Sequence, residues 1–165
     1  FNLTASVLVG NYLGAGKPQE AKRVGLRILL IGLVLVSVLA LIVWQFTGAI
    51  SAFIAPNPEV QAEAASYLYY NILAIPFTLT TMILAGAFGG AGATWYNLAG
   101  MGAGTWLVRL PLAYLLGHVL LLGSTGIWIS MLASQACQAT ILYYIFTRRN
   151  WQRFALTKTR NGTRP

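Results

Sequence analysis

A chain of 165 residues that is 57% hydrophobic, only 8% charged and of mean hydropathy +0.66 lacks the polar surface of a soluble domain, in which about 25% of residues are charged. Its net charge of +8 is clustered at Lys17 to Arg27 and Arg148 to Arg164, with Arg109 alone between them. The excess therefore reads as basic loops lying on anionic lipid, with no nucleic-acid partner. One histidine, one cysteine and no aspartate exclude a disulfide framework, a metal cluster and a catalytic triad, so the chain is read as a non-enzyme without cofactor.

The opening segment, residues 1–15, reads as the end of a helix. The chain starts on Phe1 and shows no secretory leader, so its natural beginning is expected to lie upstream. The sequons at Asn2 and Asn161 are read as chance matches, because Asn161 falls in the basic tail.

The next stretch, "VGNYLGAGKPQEAKR" from Val9 to Arg23, invites a phosphate-loop reading that its register refuses. Counting back from Gly16-Lys17, the first glycine of such a loop would stand where Asn11 is. Pro18 occupies the place of the Mg²⁺-binding hydroxyl and removes an N–H. The stretch is instead read as the turn between two membrane helices, the second starting at Pro18 with Glu20 complementing its positive end.

Four windows meet the roughly 20 apolar residues that a span requires. The first covers residues 27–47 and contains "ILLIGLVLVSVLALIVWQF"; the second, 66–86, begins with the tyrosines of an aromatic belt. Pro76 inside it is expected to free the carbonyl of Ile72 and kink the helix. The third covers 98–121 and the fourth 126–146. The expected architecture is all-α and polytopic, with four complete spans and a truncated one over residues 1–151, then a basic tail from 152 to 165. The loop from Gly16 to Arg27 holds four bases against one acid, and the chain from Arg148 onward six bases against none. Both are expected in the cytoplasm by the positive-inside rule. The connections near Glu59 and at "LGSTG" then face outward, and "GAFGGAGATWYN" turns inside.

Ionisable groups inside a span are functional hypotheses by default. Arg109 is the one charged residue inside a window, either facing an aqueous cavity and an anion or, if its helix starts after Gly104, snorkelling to the interface. Glu20, Glu59 and Glu63 lie at or beyond the interfaces, so an ion-coupling acid is expected outside these residues. Asn71 and Thr78, with Thr80 and Thr81, in the second window, Gln135 and Gln138 on one face of the fourth, and Asn11 are the neutral cavity candidates. Their alternative role is hydrogen bonding between helices. Pro76 and Pro111 are candidate hinges. Small residues four apart, such as Gly100 and Gly104 or Ser130 and Ser134, suit close helix packing. His118 is read as interfacial and Cys137 as a small packing residue.

The order "ASVLVGNYLGAGKPQEAKR", "PEVQAEAASYLYYNILAIPF", "LAGAFGGAGAT", "WLVRLPLAYLL", "GSTGIWISMLAS" and "RNW" resembles the C-terminal half of multidrug and toxic compound extrusion (MATE) transporters. The resemblance implies twelve helices in two lobes, of which this is the second, and antiport in which entering Na⁺ or H⁺ drives export of drug-like cationic or amphipathic compounds. The lipid bilayer and a missing N-terminal lobe are the implied partners. Family members often carry Gly-Asp-Thr where this chain has Gly92-Ala93-Thr94, and some place an acid in the helix of residues 66–86, which has none. These departures resemble the branch of the DNA-damage-inducible F transporters, whose coupling aspartates lie in the other lobe, and imply a bacterial inner membrane. A lipid-linked oligosaccharide flippase of the same superfamily and a non-transporting remnant are the alternatives.

Overall fold

Prolines 18 and 58 set the starts of the two longest helices, because a fixed φ and a missing N–H cost nothing in a first helical turn. The computed structural model describes residues 1–54, 57–119, 121, 123–149 and 151. Helix α1 spans Asn2–Gly14, α2 Pro18–Ile54, α3 Pro58–Gly90 and α4 Thr94–Gly102. A π-helical stretch, Ala103–Arg109, leads into α5, Leu110–Tyr114; a second, Leu115–Val119, follows, and α6 spans Gly123–Arg148. The expected basic tail at 152–165, with Asn161, lies outside the described residues.

The expected all-α class holds, and no strand occurs among the described residues. Helices α2, α3 and α6 are each long and apolar enough to cross a bilayer. The apolar windows underestimate two of them. The 37 residues of α2 extend about 55 Å at 1.5 Å per residue, against a hydrocarbon core of about 30 Å. Helix ends outside lipid are set by caps and not by hydropathy, which corrects the reading around Glu59: Glu59 and Glu63 stand in the opening turns of α3 rather than in a loop. The third window is helical from Thr94 but changes its hydrogen-bonding period three times, with Pro111 between the two π stretches. Proline supplies no N–H for the preceding turn, so a wider turn is a natural local solution.

Two turns close by the same device. Gly16 and Gly92 both adopt φ +70°, a conformation that glycine reaches without steric cost. Lys17 N–H then bonds the Tyr12 carbonyl and Gly16 N–H that of Leu13, and Ala93 and Gly92 repeat the pattern on Phe88 and Gly89, at 2.9 to 3.0 Å. This pair of bonds is the Schellman termination of a helix. Gly16 therefore ends α1 and cradles no phosphate.

The core lies where α1, α2, α3 and α6 meet. Ala5, Val9 and Leu13 present one face of α1 to Ile83, Leu84, Ala87 and Phe88 of α3, with Leu142 and Phe146 of α6 behind them. Small residues allow the approach. A Cβ on Gly86 would stand 2.3 Å from the Asn2 carbonyl oxygen, and one on Gly90 would stand 2.0 Å from that of Ser6. Trp151, fully buried, stacks on Phe146 with ring centroids 4.7 Å apart and donates to the Phe146 carbonyl at 2.9 Å. Phe88 meets both rings edge-on and Tyr96 at a tilt. This cluster gathers the α3–α4 turn and the end of α6 at the end where Lys22 Nζ donates to the Thr147 carbonyl at 2.6 Å. At the opposite end Ser124 donates to the Glu63 carboxylate.

Candidate substrate groove between α2 and α3

Thr78 is two turns beyond Asn71, and seven residues is close to two full helical turns, so both side chains stand on one face of α3. They line a groove of about 280 Å³ with Ile75, Leu79 and Met82 of the same helix and Val36 of α2. Val36 is the middle residue of α2, so the groove lies at mid-helix depth, where carrier folds place their binding sites. A second groove of about 380 Å³ opens on the other side of the α2–α3 contact, lined by Ala40, Trp44, Leu73 and Pro76 among others. Trp44 of this groove also packs against Tyr69, with ring centroids 4.7 Å apart.

The hydrogen bonds inside the first groove define its chemistry. Thr78 donates its hydroxyl to the Ala74 carbonyl, and Asn71 Nδ2 donates to that of Tyr67, each at 3.1 Å. A threonine has one proton to give, and with it committed the oxygen can only accept; the Asn71 carboxamide oxygen is likewise an acceptor. The groove thus has apolar walls and a polar surface of two acceptors, Thr78 Oγ1 and Asn71 Oδ1, beside the second N–H of the Asn71 carboxamide. Such a lining complements an apolar body that carries N–H donors or diffuse positive charge.

The other predicted site residues are not in this groove. Gln138 is 5% exposed and spans to the broken helix, its Nε2 donating to Thr105 Oγ1 at 3.3 Å. Gly104 admits it, since a Cβ there would lie 2.1 Å from Gln138 Cγ. Gln135, one turn earlier on α6, is half-buried. Arg109 closes the first π stretch, half-buried and without an ion pair or hydrogen bond among the described residues. Because its helix starts at Thr94, a start after Gly104 is overturned and Arg109 lies well inside the helix. Pro111 is exposed, while Pro76 is half-buried within a helix that continues through it. Asn11 is exposed on α1, and His118 is exposed 5.5 Å from the Tyr114 ring.

Thr78, Thr80, Thr81, Ser130 and Ser134 bond carbonyls of their own helices. For the three threonines that corrects the expectation of bonds between helices, which Gln138 fulfils; the two serines were expected only to permit close packing. Back-bonding of this kind satisfies the hydroxyl in lipid and tends to bend a helix. Asn97 was not singled out from the sequence. Its Nδ2 donates to the Ala85 carbonyl at 2.8 Å while its Oδ1 is buried without a partner. An asparagine soon after a glycine-rich turn was the available signal.

Comparison with known proteins places this geometry in a wider setting. The family model described as MatE matches residues 1–115. Protein DETOXIFICATION 21 of Arabidopsis thaliana is 31% identical over 168 residues, covering 99% of this chain and 33% of that protein. Protein DETOXIFICATION 35 of the same plant is 32% identical over 160 residues, covering 92% of this chain and 31% of that one. The crystal structure of the eukaryotic MATE transporter AtDTX14 superposes with a TM-score of 0.86 at 25% identity, over 95% of this chain and 35% of that one. The chain thus spans about a third of the length of the relatives it matches.

Proposed function

Because the chain belongs to the MatE family, whose members are membrane transporters and not enzymes, we propose that it forms the second lobe of an efflux antiporter. That carrier exports cationic or amphipathic compounds in exchange for Na⁺ or H⁺. The observation that carries the reading is the mid-helix groove, apolar in its walls and acceptor-rich at Asn71 and Thr78. An entering monovalent cation gains about 2.3 kcal/mol per 100 mV, enough for a roughly fiftyfold gradient of a neutral substrate at that potential, whereas one-for-one exchange against a singly charged cation is electroneutral and draws on the concentration gradient of the ion alone.

The three acids of the sequence open helices, Glu20 in α2 and Glu59 and Glu63 in α3, so none serves as a mid-span ion site. The coupling ion is therefore assigned to residues outside this sequence, on a partner lobe. The end that carries Lys22, Arg23, Arg148 and Arg149 is assigned to the cytoplasm by its charge. The relatives named above are plant proteins, so a bacterial inner membrane and the DNA-damage-inducible F branch draw no support from them. A flippase for lipid-linked oligosaccharide would need a basic cavity, and Arg109 stands apart from the groove.

The test is transport of tetraphenylphosphonium by the complete natural protein in proteoliposomes under an imposed Na⁺ or H⁺ gradient. Thr78→Val with Asn71→Leu removes two acceptors at nearly constant volume. At about 0.6 kcal/mol for each polar contact in a membrane interior, the double variant should raise the half-saturating concentration roughly eightfold. Gradient-driven transport at unchanged half-saturation would remove the groove from the path.

A further inference from the structure

A second feature stands at the end of the bundle, away from the groove. The first turns of α2 and the last turn of α6 enclose a pocket of about 380 Å³ whose polar wall is made by Gln19, Lys22, Arg23, Arg148 and Arg149. Four of these five side chains are cationic. The one neighbouring acid, Glu20, is already engaged by Arg23 at 3.2 Å. Lys22 donates to the Thr147 carbonyl, which offsets the partial negative charge of the end of α6 that would otherwise repel an anion. Arg148 and Arg149 form no side-chain hydrogen bond or ion pair among the described residues. The pocket is thus a preformed concentration of positive charge with unspent donors.

Its floor is Leu26, and from there the surface turns apolar. Leu30, one turn further along α2 on the same face, opens a groove of about 550 Å³ lined wholly by Leu30, Ile31, Val34, Leu35, Val38 and Leu39. These side chains are 51 to 64% exposed. A cationic pocket at the membrane boundary that runs into an apolar groove along a span matches a molecule with a phosphate at one end and hydrocarbon at the other.

We propose that this pocket is a binding site for an anionic phospholipid, with the phosphate held by Arg148, Arg149 and Arg23 and an acyl chain lying along the Leu30–Leu39 face of α2. The site seats the junction of α2 and α6 at the membrane surface. It rests on the chain being a membrane protein and not on the antiport reading, so failure of the transport test leaves it standing.

The complete natural protein, purified in detergent and offered equal amounts of phosphatidylglycerol and phosphatidylcholine, is examined by native mass spectrometry. The wild type should retain phosphatidylglycerol preferentially. Arg148→Gln with Arg149→Gln should lower that retention about fivefold for each arginine, the equivalent of about 1 kcal/mol per basic residue at an anionic surface. Neither side chain makes a hydrogen bond or ion pair among the described residues, so elution and melting temperature should be kept; if the double variant does not fold, the single variants Arg148→Gln and Arg149→Gln give the same reading. Equal retention of the two lipids, or undiminished retention by a folded variant, overturns the proposal. Displacement of phosphatidylglycerol by inorganic phosphate alone would assign the pocket to a soluble phosphate and equally overturn it.

Discussion

Replacing Gly90 by alanine sets two magnitudes against each other. In a helix interior alanine is more favourable than glycine by about 1 kcal/mol, and Gly90, the last residue of α3, can gain at most that, so propensity alone predicts no loss of stability. The added methyl, however, would stand 2.0 Å from the Ser6 carbonyl oxygen, where ordinary contact begins at 3.4 Å. The obstacle is the backbone of α1, with no flexible side-chain end to give way. Overpacking of a close-packed site costs roughly 1–3 kcal/mol and sometimes more, so the contact outweighs the propensity. Gly86→Ala meets the Asn2 carbonyl at 2.3 Å and should behave alike. Gly89, between them, has nothing within 4 Å of a built Cβ, and Gly89→Ala should keep or raise stability. The assay is thermal unfolding of the three variants in detergent, followed by tryptophan fluorescence. Gly90→Ala melting at or above the wild type, or Gly89→Ala losing as much as Gly90→Ala, would refute the close seating of α1 on α3.

Three further outcomes follow from other contacts. Gly104→Ala, whose methyl would fall 2.1 Å from Gln138 Cγ, should destabilise, and adding Gln138→Ala should recover part of the loss; a thermal double-mutant cycle is expected to give a coupling of about 0.5–3 kcal/mol, and strict additivity would contradict the contact. Trp151→Ala should cost about 3–5 kcal/mol by emptying a buried aromatic site, whereas Trp151→Phe, which chiefly gives up the bond to the Phe146 carbonyl, should cost about 1 kcal/mol in denaturant titration. Lys22→Met removes the donor from the Thr147 carbonyl and should speed amide hydrogen exchange in the last turn of α6; unchanged exchange there would show that the bond does not hold that helix end.

Much of the architecture was legible because lipid leaves few choices. Backbone groups in hydrocarbon must be satisfied internally, so each long apolar run had to be a helix, and the charges marked where runs ended. Pro18 was legible as a helix start because proline favours a first helical turn, while Pro58, which opens α3 in the same way, was read as part of a connection. The full lengths of α2 and α3 were not, because hydropathy stops at the interface while hydrogen bonding does not. The pair Gly86 and Gly90 escaped notice inside "GAFGGAGAT": glycines in a turn-like run look like loop, and only the facing carbonyls of Asn2 and Ser6 show that they form a contact face. Asn71 and Thr78 were legible as polar residues inside a span, but their separation from Arg109 and Gln138 was not. Sharing a groove depends on which helices touch, and one chain's periodicity does not encode that.

The central claim is that the groove beside Asn71 and Thr78 lies on the path of an exported cation. It is tested most directly by placing a single cysteine at Thr78 in the complete natural protein, with all its native cysteines, Cys137 among them, replaced by alanine. The rate of its modification by a water-soluble thiol reagent is then measured with and without saturating tetraphenylphosphonium. The account predicts that the cation slows modification several-fold. Modification at an unchanged rate, by a protein that transports the same cation, would contradict it.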